Sequence, residues 1–135
     1  FKTKRDSEGD VERYKAHLCA KGFMQREGLD YEETFAPVAK FTSIRLVIAA
    51  AAELDLDLHQ MDVCTAFLYG ELKEEIYMKQ PEGLEDENNP HQVCRLLKGL
   101  YGLKQSPRTW NANIHQFLLD SKFKQSTADP CIYIN

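Results

Sequence analysis

Long apolar runs are missing from this sequence. No stretch approaches the roughly 18 consecutive apolar residues that a membrane-spanning helix needs, and the basic opening FKTKRD is not followed by the apolar core of a signal peptide. The four cysteines stand far apart without a C-x-x-C pair, and the four histidines lack a metal-binding spacing. A G-x-S-x-G turn is also absent. These absences predict a soluble, intracellular protein in a reducing compartment, without a zinc site or a disulfide framework.

The composition is that of a globular protein, and its charge is unevenly distributed. The 135 residues are 43% hydrophobic and 28% charged, which predicts one domain with its own core. The net charge of −4 argues against a nucleic-acid binder, but residues 1–26 carry seven basic and four acidic side chains, and residues 91–135 carry six and two. Residues 27–90 carry four and fifteen. Basic ends around an acidic middle suit local contacts with phosphates, although an acidic solvated surface gives the same middle.

The residue patterns predict a mixed α+β order. ERYKAHLCAKGF alternates in a way typical of a half-buried strand, and LHQMDV, EIYMKQ, QVCRLLK and the final CIYIN predict further strands. TSIRLVIAAAAELDL predicts an amphipathic helix with Thr42 or Ser43 as N-cap. SPRTWNANIHQFLLDSKF predicts a second helix, with Ser106 as N-cap and Pro107 in its first position. We expect PEGLEDENNPHQ to form an exposed loop, and the chain to be a piece of a longer polypeptide because it stops inside the CIYIN strand.

One acidic residue lies in the middle of the apolar stretch LHQMDVCTAFLYG. If LHQMDV is a strand, Asp62 lies near its end, on the same face as Leu58 and Gln60. A carboxylate there is stable when it faces a cleft or binds a metal ion, and costly when it is buried alone. The alternative is that Asp62 caps the turn at TAF through its side chain. Spacing alone does not separate the two.

Six motifs in succession, spread over the whole chain, decide the interpretation. These are RYKAHLCAKGF, YEETFAPV, HQMDVCTAFLYG, EEIYMKQPEG, LLKGLYGLKQSPRTW and DPCIYI. Together they closely resemble the reverse transcriptase of copia-type LTR retrotransposons. The resemblance implies an α+β fold that is part of a polymerase right hand, with fingers over about 1–57, the first palm strand region over 58–80, a return between fingers and palm over 81–105, and a palm helix with a truncated strand over 106–135.

The resemblance also assigns roles to single residues. The Asp of QMDV is the first catalytic carboxylate of that family, so Asp62 is expected to hold two Mg²⁺ ions, or Mn²⁺, with the Val63 backbone carbonyl as a further ligand. The aromatic of TAF is expected to exclude a 2′-hydroxyl, and here it is Phe67. Without the family context, Phe67 is more simply a core aromatic.

Three further residues are expected to contact the nucleotide. Gln105, in LYGLKQSPRTW, matches a Gln beside the incoming nucleotide, although a plain helix cap explains the same segment. Lys15 and Lys21 are expected to reach the triphosphate or template, although lysines on a solvated strand have the same pattern. His17 stands where the family usually carries Arg, and Cys64 where it usually carries Lys, so two cations are absent near the nucleotide path.

The resemblance finally implies partners and a missing element. The partners are an RNA or DNA template–primer, dNTP and the rest of a polyprotein with integrase and RNase H regions, in a cytoplasmic particle or the nucleus and without a membrane. The family's next two carboxylates come from a Y-x-D-D hairpin expected after CIYI, so we expect this chain alone to be inactive. The alternatives are a non-catalytic remnant that binds nucleic acid or polymerase, and a hydrolase using the Glu74/Glu75 pair. Asp120, Asp129 and the pairs Glu32/Glu33 and Glu74/Glu75 are otherwise expected to be surface charges.

Overall fold

Three separate two-stranded sheets, all antiparallel, form the β-structure of this protein. The computed structural model describes residues 1–135, and the α+β prediction is confirmed. The first sheet pairs β1 with β2, the second β3 with β4 and the third β5 with β6. Their bounds are Lys2–Arg5 (β1), Val11–Lys15 (β2), Glu71–Lys79 (β3), Val93–Lys98 (β4), Lys124–Gln125 (β5) and Tyr133–Ile134 (β6).

The predicted strands at EIYMKQ and QVCRLLK are confirmed as β3 and β4, and the loop over 81–92 lies between them. The final CIYIN contributes only the two residues of β6. The predicted half-buried strand at ERYKAHLCAKGF is wrong in two respects. β2 ends at Lys15, and every residue of β2 is exposed, since its main packing partner among the helices and strands is β1.

The predicted strand at LHQMDV is also wrong. Residues 56–63 have no regular secondary structure, because no strand of the chain pairs with them. A strand needs a neighbour to accept and donate its ladder hydrogen bonds, and an alternating sequence does not supply one.

Both predicted helices form, and their N-caps lie one to three residues before the predicted positions. The helix α1 spans Phe41–Glu53 with Lys40 as its N-cap, so Thr42 and Ser43 are not the cap. The helix α2 spans Ser106–Asp120 with Gln105 as its N-cap, so Ser106 is not the cap, and Pro107 lies in the second helical position rather than the first. Neither helix is long and apolar enough to cross a membrane.

Little of the chain is buried, so the prediction of a domain with its own core is wrong. The accessible surface is 11,587 Å², whereas a compact protein of this mass exposes roughly 7,200 Å². Among apolar side chains only Ala51, Ile76 and Leu103 are buried. The apolar face predicted for α1 is open, since Val47 and Ile48 are about half exposed. The best-packed part of the molecule is the region where α2 begins, which also positions the candidate site.

Candidate active site

Asp62 lies in an irregular, exposed segment between α1 and a short 3-10 helix over Ala66–Tyr69. We call residues 54–64 the metal-side segment. No backbone hydrogen bond reaches residues 57–63. The Asp62 carboxylate accepts no hydrogen bond from the following turn and forms no ion pair, since the single ion pair of the chain joins Arg95 to Glu75. The turn-cap alternative for Asp62 is therefore not what the structure shows.

Phe67 lies in a much tighter environment, which we call the gate frame (residues 65–70 and 99–109). Thr65 adopts a left-handed conformation with a φ of 56°, and the 3-10 helix follows directly. The Leu68 N–H donates to the Thr65 carbonyl over 2.9 Å. A Cβ on Gly99 would lie 2.7 Å from the Phe67 carbonyl oxygen, closer than real Cβ atoms come. Glycine at position 99 therefore allows the turn to lie directly against the segment that joins β4 to α2.

Helix α2 holds the other end of the same turn. The Asn113 side-chain amide donates to the Tyr69 carbonyl over 2.6 Å. A Cβ on Gly70 would lie 2.6 Å from the Thr109 Cγ2 atom. These contacts fix the backbone on both sides of Phe67.

Three aromatic rings form a row at the gate frame. The Phe67 and Tyr101 ring centroids are 4.9 Å apart with a tilt of 59°, and the His17 ring meets Tyr101 edge-on at 5.7 Å. The Ala20 N–H donates to the Tyr101 carbonyl over 2.7 Å. Residues 17–20, 67 and 101 come from three of the six motifs, and the structure brings them together.

Gln105 is buried at 2% exposure, and its side-chain amide is fully engaged. Its Nε2 donates to the Asp30 carbonyl over 3.0 Å, and its Oε1 accepts from Gln25 Nε2 over 3.0 Å. The Oε1 of Gln25 in turn accepts from the Lys104 N–H over 2.8 Å. Gln105 therefore joins the loop at residues 25–31 to the start of α2, and the structure does not direct its amide into open solvent.

Lys15 and Lys21 are exposed and pair with no carboxylate. They flank residues 17–20, which contact Tyr101, so both lie on the chain segment that reaches the gate frame. No hydrogen bond joins Asp62 to Phe67, Gln105 or either lysine. The structure thus brings together the segments that carry the expected nucleotide-contacting residues, whereas Asp62 makes no hydrogen bond to any of them.

Comparison with known proteins identifies the family. A family model described as reverse transcriptase (RNA-dependent DNA polymerase) matches residues 1–135. The chain belongs to the reverse transcriptase family. It is 50% identical over 133 residues, or 98% of its length, to the retrovirus-related Pol polyprotein from transposon TNT 1-94 of Nicotiana tabacum. It is 48% identical over 134 residues to the corresponding polyprotein from transposon RE2 of Arabidopsis thaliana.

The reverse transcriptase chain spans about a tenth of the length of these relatives, 10% of the tobacco protein and 9% of the Arabidopsis one. No solved structure matches it. The resemblance to copia-type elements seen in the motifs is confirmed as a match to transposon Pol polyproteins. The polymerase right hand and the residue roles stay predictions.

The acidic residues of this reverse transcriptase chain do not assemble into a metal site by themselves. Among residues 1–135 no three His, Cys, Asp or Glu side chains come close enough to hold an ion. The exposed Asp62 carboxylate and the Val63 carbonyl are oxygen donors of the kind that Mg²⁺ prefers, so their chemistry fits one side of such a site. The remaining ligands have to come from elsewhere.

Asp129 is not the surface charge that we expected, since it is buried at 1% exposure. Its carboxylate accepts hydrogen bonds from the Ser43 side chain and from the backbone N–H groups of Cys131 (2.9 Å) and Lys40 (3.2 Å). These bonds hold the pKa of Asp129 below its usual value. Asp129 therefore anchors the start of α1 from the far end of the chain.

The other acidic residues agree better with that expectation. Glu32, Glu33, Glu75 and Asp120 are exposed, and Glu74 is half-buried. Backbone N–H groups of Phe35 and Thr34 donate to Glu33 over 2.9 Å each and lower its pKa. None of them belongs with Asp62 to a group of three metal-ligating side chains.

Two residues of the site were missed at the level of sequence. Gln25 bonds to a residue 80 positions away, and no local pattern predicts that contact. Tyr101 lies within the motif LYGLKQSPRTW, but only the pairing of its ring with Phe67 distinguishes it from an ordinary aromatic. Gly99 and Gly102 are the sequence signal that could have identified Tyr101, because they flank Leu100 and Tyr101 and permit close backbone approach.

Proposed function

We propose that this chain forms the nucleotide-selecting part of a transposon Pol polypeptide that adds deoxynucleotides to a primer 3′-hydroxyl under the direction of a template. The observation that supports it is the meeting of three family motifs around Phe67, where Tyr101 contacts Phe67 within the gate frame and residues 17–20 contact Tyr101. A sugar-selecting ring needs a fixed position, because exclusion of one hydroxyl group depends on displacements smaller than an atom. In the proposed right hand, the fingers extend over about 1–57 and the palm begins at 58.

In this proposal Asp62 and the Val63 carbonyl hold Mg²⁺, or Mn²⁺, on the metal side of the site. When bound, a pair of such ions activates the attacking hydroxyl and stabilises the leaving pyrophosphate. Asp62 is suited to this role because it is exposed and its carboxylate is not engaged within the chain. The Y-x-D-D carboxylates of the longer polypeptide complete the ligand set, and the chain alone is inactive.

Phe67 excludes the 2′-hydroxyl of a ribonucleotide by its bulk, and Lys15 and Lys21 attract the triphosphate or the template. Both ends of the Gln105 amide are engaged in hydrogen bonds. Gln105 therefore contacts the nucleotide only if its Nε2 gives up the hydrogen bond to the Asp30 carbonyl and donates to a nucleotide group instead. The partners are template–primer, dNTP and the integrase and RNase H regions of the polyprotein, within a cytoplasmic particle or the nucleus.

A second candidate is a non-catalytic module that binds nucleic acid or a polymerase. This candidate is favoured because Asp62 does not belong to any group of three metal-ligating side chains within the chain. An in-frame Y-x-D-D segment in the longer polypeptide separates the two candidates, because only a polymerase needs it.

Primer extension by the polypeptide that carries this chain tests the proposal. Asp62→Asn is compared with Asp57→Asn, which removes the same charge at another exposed position of the metal-side segment. We expect Asp62→Asn to lower kcat/KM for dTTP addition on an RNA template by about a thousandfold or more, since metal ions contribute several kcal/mol to such transition states.

Asp57→Asn is expected to leave primer extension within about twofold of the unsubstituted protein. Equal extension by the two variants would refute the assigned role of Asp62. Absence of Mg²⁺-dependent extension by the unsubstituted polypeptide would favour the non-catalytic module.

A further inference from the structure

We infer that Tyr101 is a positioning residue for sugar selection, which holds the Phe67 ring in the place where it excludes a 2′-hydroxyl. This inference rests on the proposed function. The Phe67 ring lies against Tyr101 at a centroid distance of 4.9 Å and a tilt of 59°, a geometry that aromatic pairs favour. Tyr101 is the only aromatic residue paired with Phe67 in this way.

The backbone of Phe67 is fixed, but its side chain is not fixed by the same contacts. The Gly99 and Gly70 contacts hold the main chain of the turn. The ring itself can still rotate about χ1, because Phe67 is only half-buried. A contact on the ring is therefore required to select one rotamer, and Tyr101 supplies it.

Tyr101 has the fixed position that this role demands. Its carbonyl accepts the Ala20 N–H over 2.7 Å, and the His17 ring meets it edge-on at 5.7 Å. The next residue, Gly102, has a φ of +92°, and a Cβ there would collide with the Ala20 carbonyl oxygen. The backbone at residues 101–102 is thus held against residues 17–20, and the Tyr101 ring extends from that support to Phe67.

The consequence is a specificity effect that acts through Phe67. If the Tyr101 ring is removed, Phe67 samples other rotamers, and in some of them the space next to the sugar C2′ atom opens. The ratio of kcat/KM for a deoxynucleotide to that for the matching ribonucleotide then falls. Because an aromatic pair has a modest energy, we expect a fall of roughly 2- to 10-fold.

The test is single-nucleotide primer extension with dTTP and UTP by the polypeptide that carries this chain. Tyr101→Leu removes the ring and Tyr101→Phe keeps it. Tyr77→Leu is the matched control, since Tyr77 lies on β3 and both tyrosines are 56% exposed. Phe67→Ala is the reference variant, since it removes the ring proposed to exclude the 2′-hydroxyl. Tyr101→Leu opens no internal cavity at that exposure, so the fold is expected to survive.

We expect the dTTP/UTP ratio to fall in Tyr101→Leu and to be kept in Tyr101→Phe and Tyr77→Leu. In the Phe67→Ala background, Tyr101→Leu is expected to cause no further fall, because the two residues act as a unit. A general structural loss would instead lower both rates and leave the ratio unchanged.

Three results would overturn the inference while leaving the proposed function intact. They are an unchanged ratio in Tyr101→Leu beside a lowered ratio in Phe67→Ala, an equal fall in Tyr101→Phe and Tyr101→Leu, and an additive fall in the double variant. An unchanged ratio in Phe67→Ala, or no extension by the unsubstituted polypeptide, would instead overturn the proposed function.

Discussion

The gate frame and the metal-side segment are neighbours in sequence but differ in the contacts and hydrogen bonds that their backbones make. Around Phe67, hydrogen bonds and glycine contacts tie the turn to the start of α2. Around Asp62, residues 57–63 make no backbone hydrogen bond. Peptide groups without partners inside a folded protein are costly, so such a segment gains order from a partner strand or stays hydrated. The gate side of the proposed site is therefore built by this chain, and we propose that the metal side is built with the rest of the Pol polypeptide.

The largest effect is expected from a substitution that disrupts the gate frame itself. Gly102→Ala adds left-handed strain and a collision with the Ala20 carbonyl, whereas Gly9→Ala adds only strain, since Gly9 has a φ of +94° and open space around it. We expect Gly102→Ala to lower the local opening free energy of residues 99–109 by about 4 kcal/mol, and Gly9→Ala to lower that of the β1–β2 hairpin by about 1 kcal/mol.

Amide hydrogen exchange of the two variants measures both values. Equal losses in Gly102→Ala and Gly9→Ala would show that the contact between residues 20 and 102 does not order the gate frame.

A smaller effect is expected from the buried amide of Gln105. Gln105→Ala leaves Gln25 Nε2 and the Asp30 carbonyl without protein partners, and because both residues are half-buried we expect a cost of about 1 kcal/mol, the lower end for an unsatisfied group. We expect hydrogen exchange at residues 25–31 to accelerate accordingly. Gln116→Ala is the control, because Gln116 is exposed and bonds only to Asp120. If both variants leave residues 25–31 equally protected, Gln105 does not hold this loop.

The parts of the structure that the sequence predicts are those fixed by local pattern. The helices appear within three residues of their predicted starts, because apolar periodicity and Pro107 act over a few residues. Strands β3 and β4 form where predicted because they pair with each other across one loop. The six motifs lead to the correct family.

The rest depends on distant partners, which local pattern does not encode. The strand predicted around Asp62 lacks a neighbour within the chain. The start of α1 is held by Asp129, 89 positions from Lys40, and the helix begins before Thr42 and Ser43. Similarly, the burial of Gln105 follows from Gln25, 80 positions away.

The smallest effect is the pH dependence of the stability that the Asp129 carboxylate contributes at the start of α1. The folded-state pKa of Asp129 is lowered by the Ser43, Cys131 and Lys40 hydrogen bonds, so the carboxylate stabilises the fold above its unfolded pKa of about 4. This contribution is lost as the pH falls through the lowered folded pKa. Asp129→Asn is therefore expected to melt at a lower temperature than the unsubstituted chain at pH 7, by a margin that shrinks at lower pH.

Thermal melts followed by circular dichroism from pH 2.5 to 7 measure this margin. The exposed Asp120→Asn is the control and is expected to show a smaller difference. A margin for Asp129→Asn that stays constant over this range would contradict the assigned ionic anchor.

The most direct test of the division between gate side and metal side is hydrogen exchange of residues 57–63 in two settings. The settings are this chain alone and the Pol polypeptide that carries it, with residues 106–109 as the internal reference. We expect residues 57–63 to exchange at the rate of an unstructured peptide in the chain alone, to be protected in the polypeptide, and to gain protection with template–primer, dNTP and Mg²⁺. Protection of residues 57–63 in the chain alone, or its absence in both settings, would contradict the account.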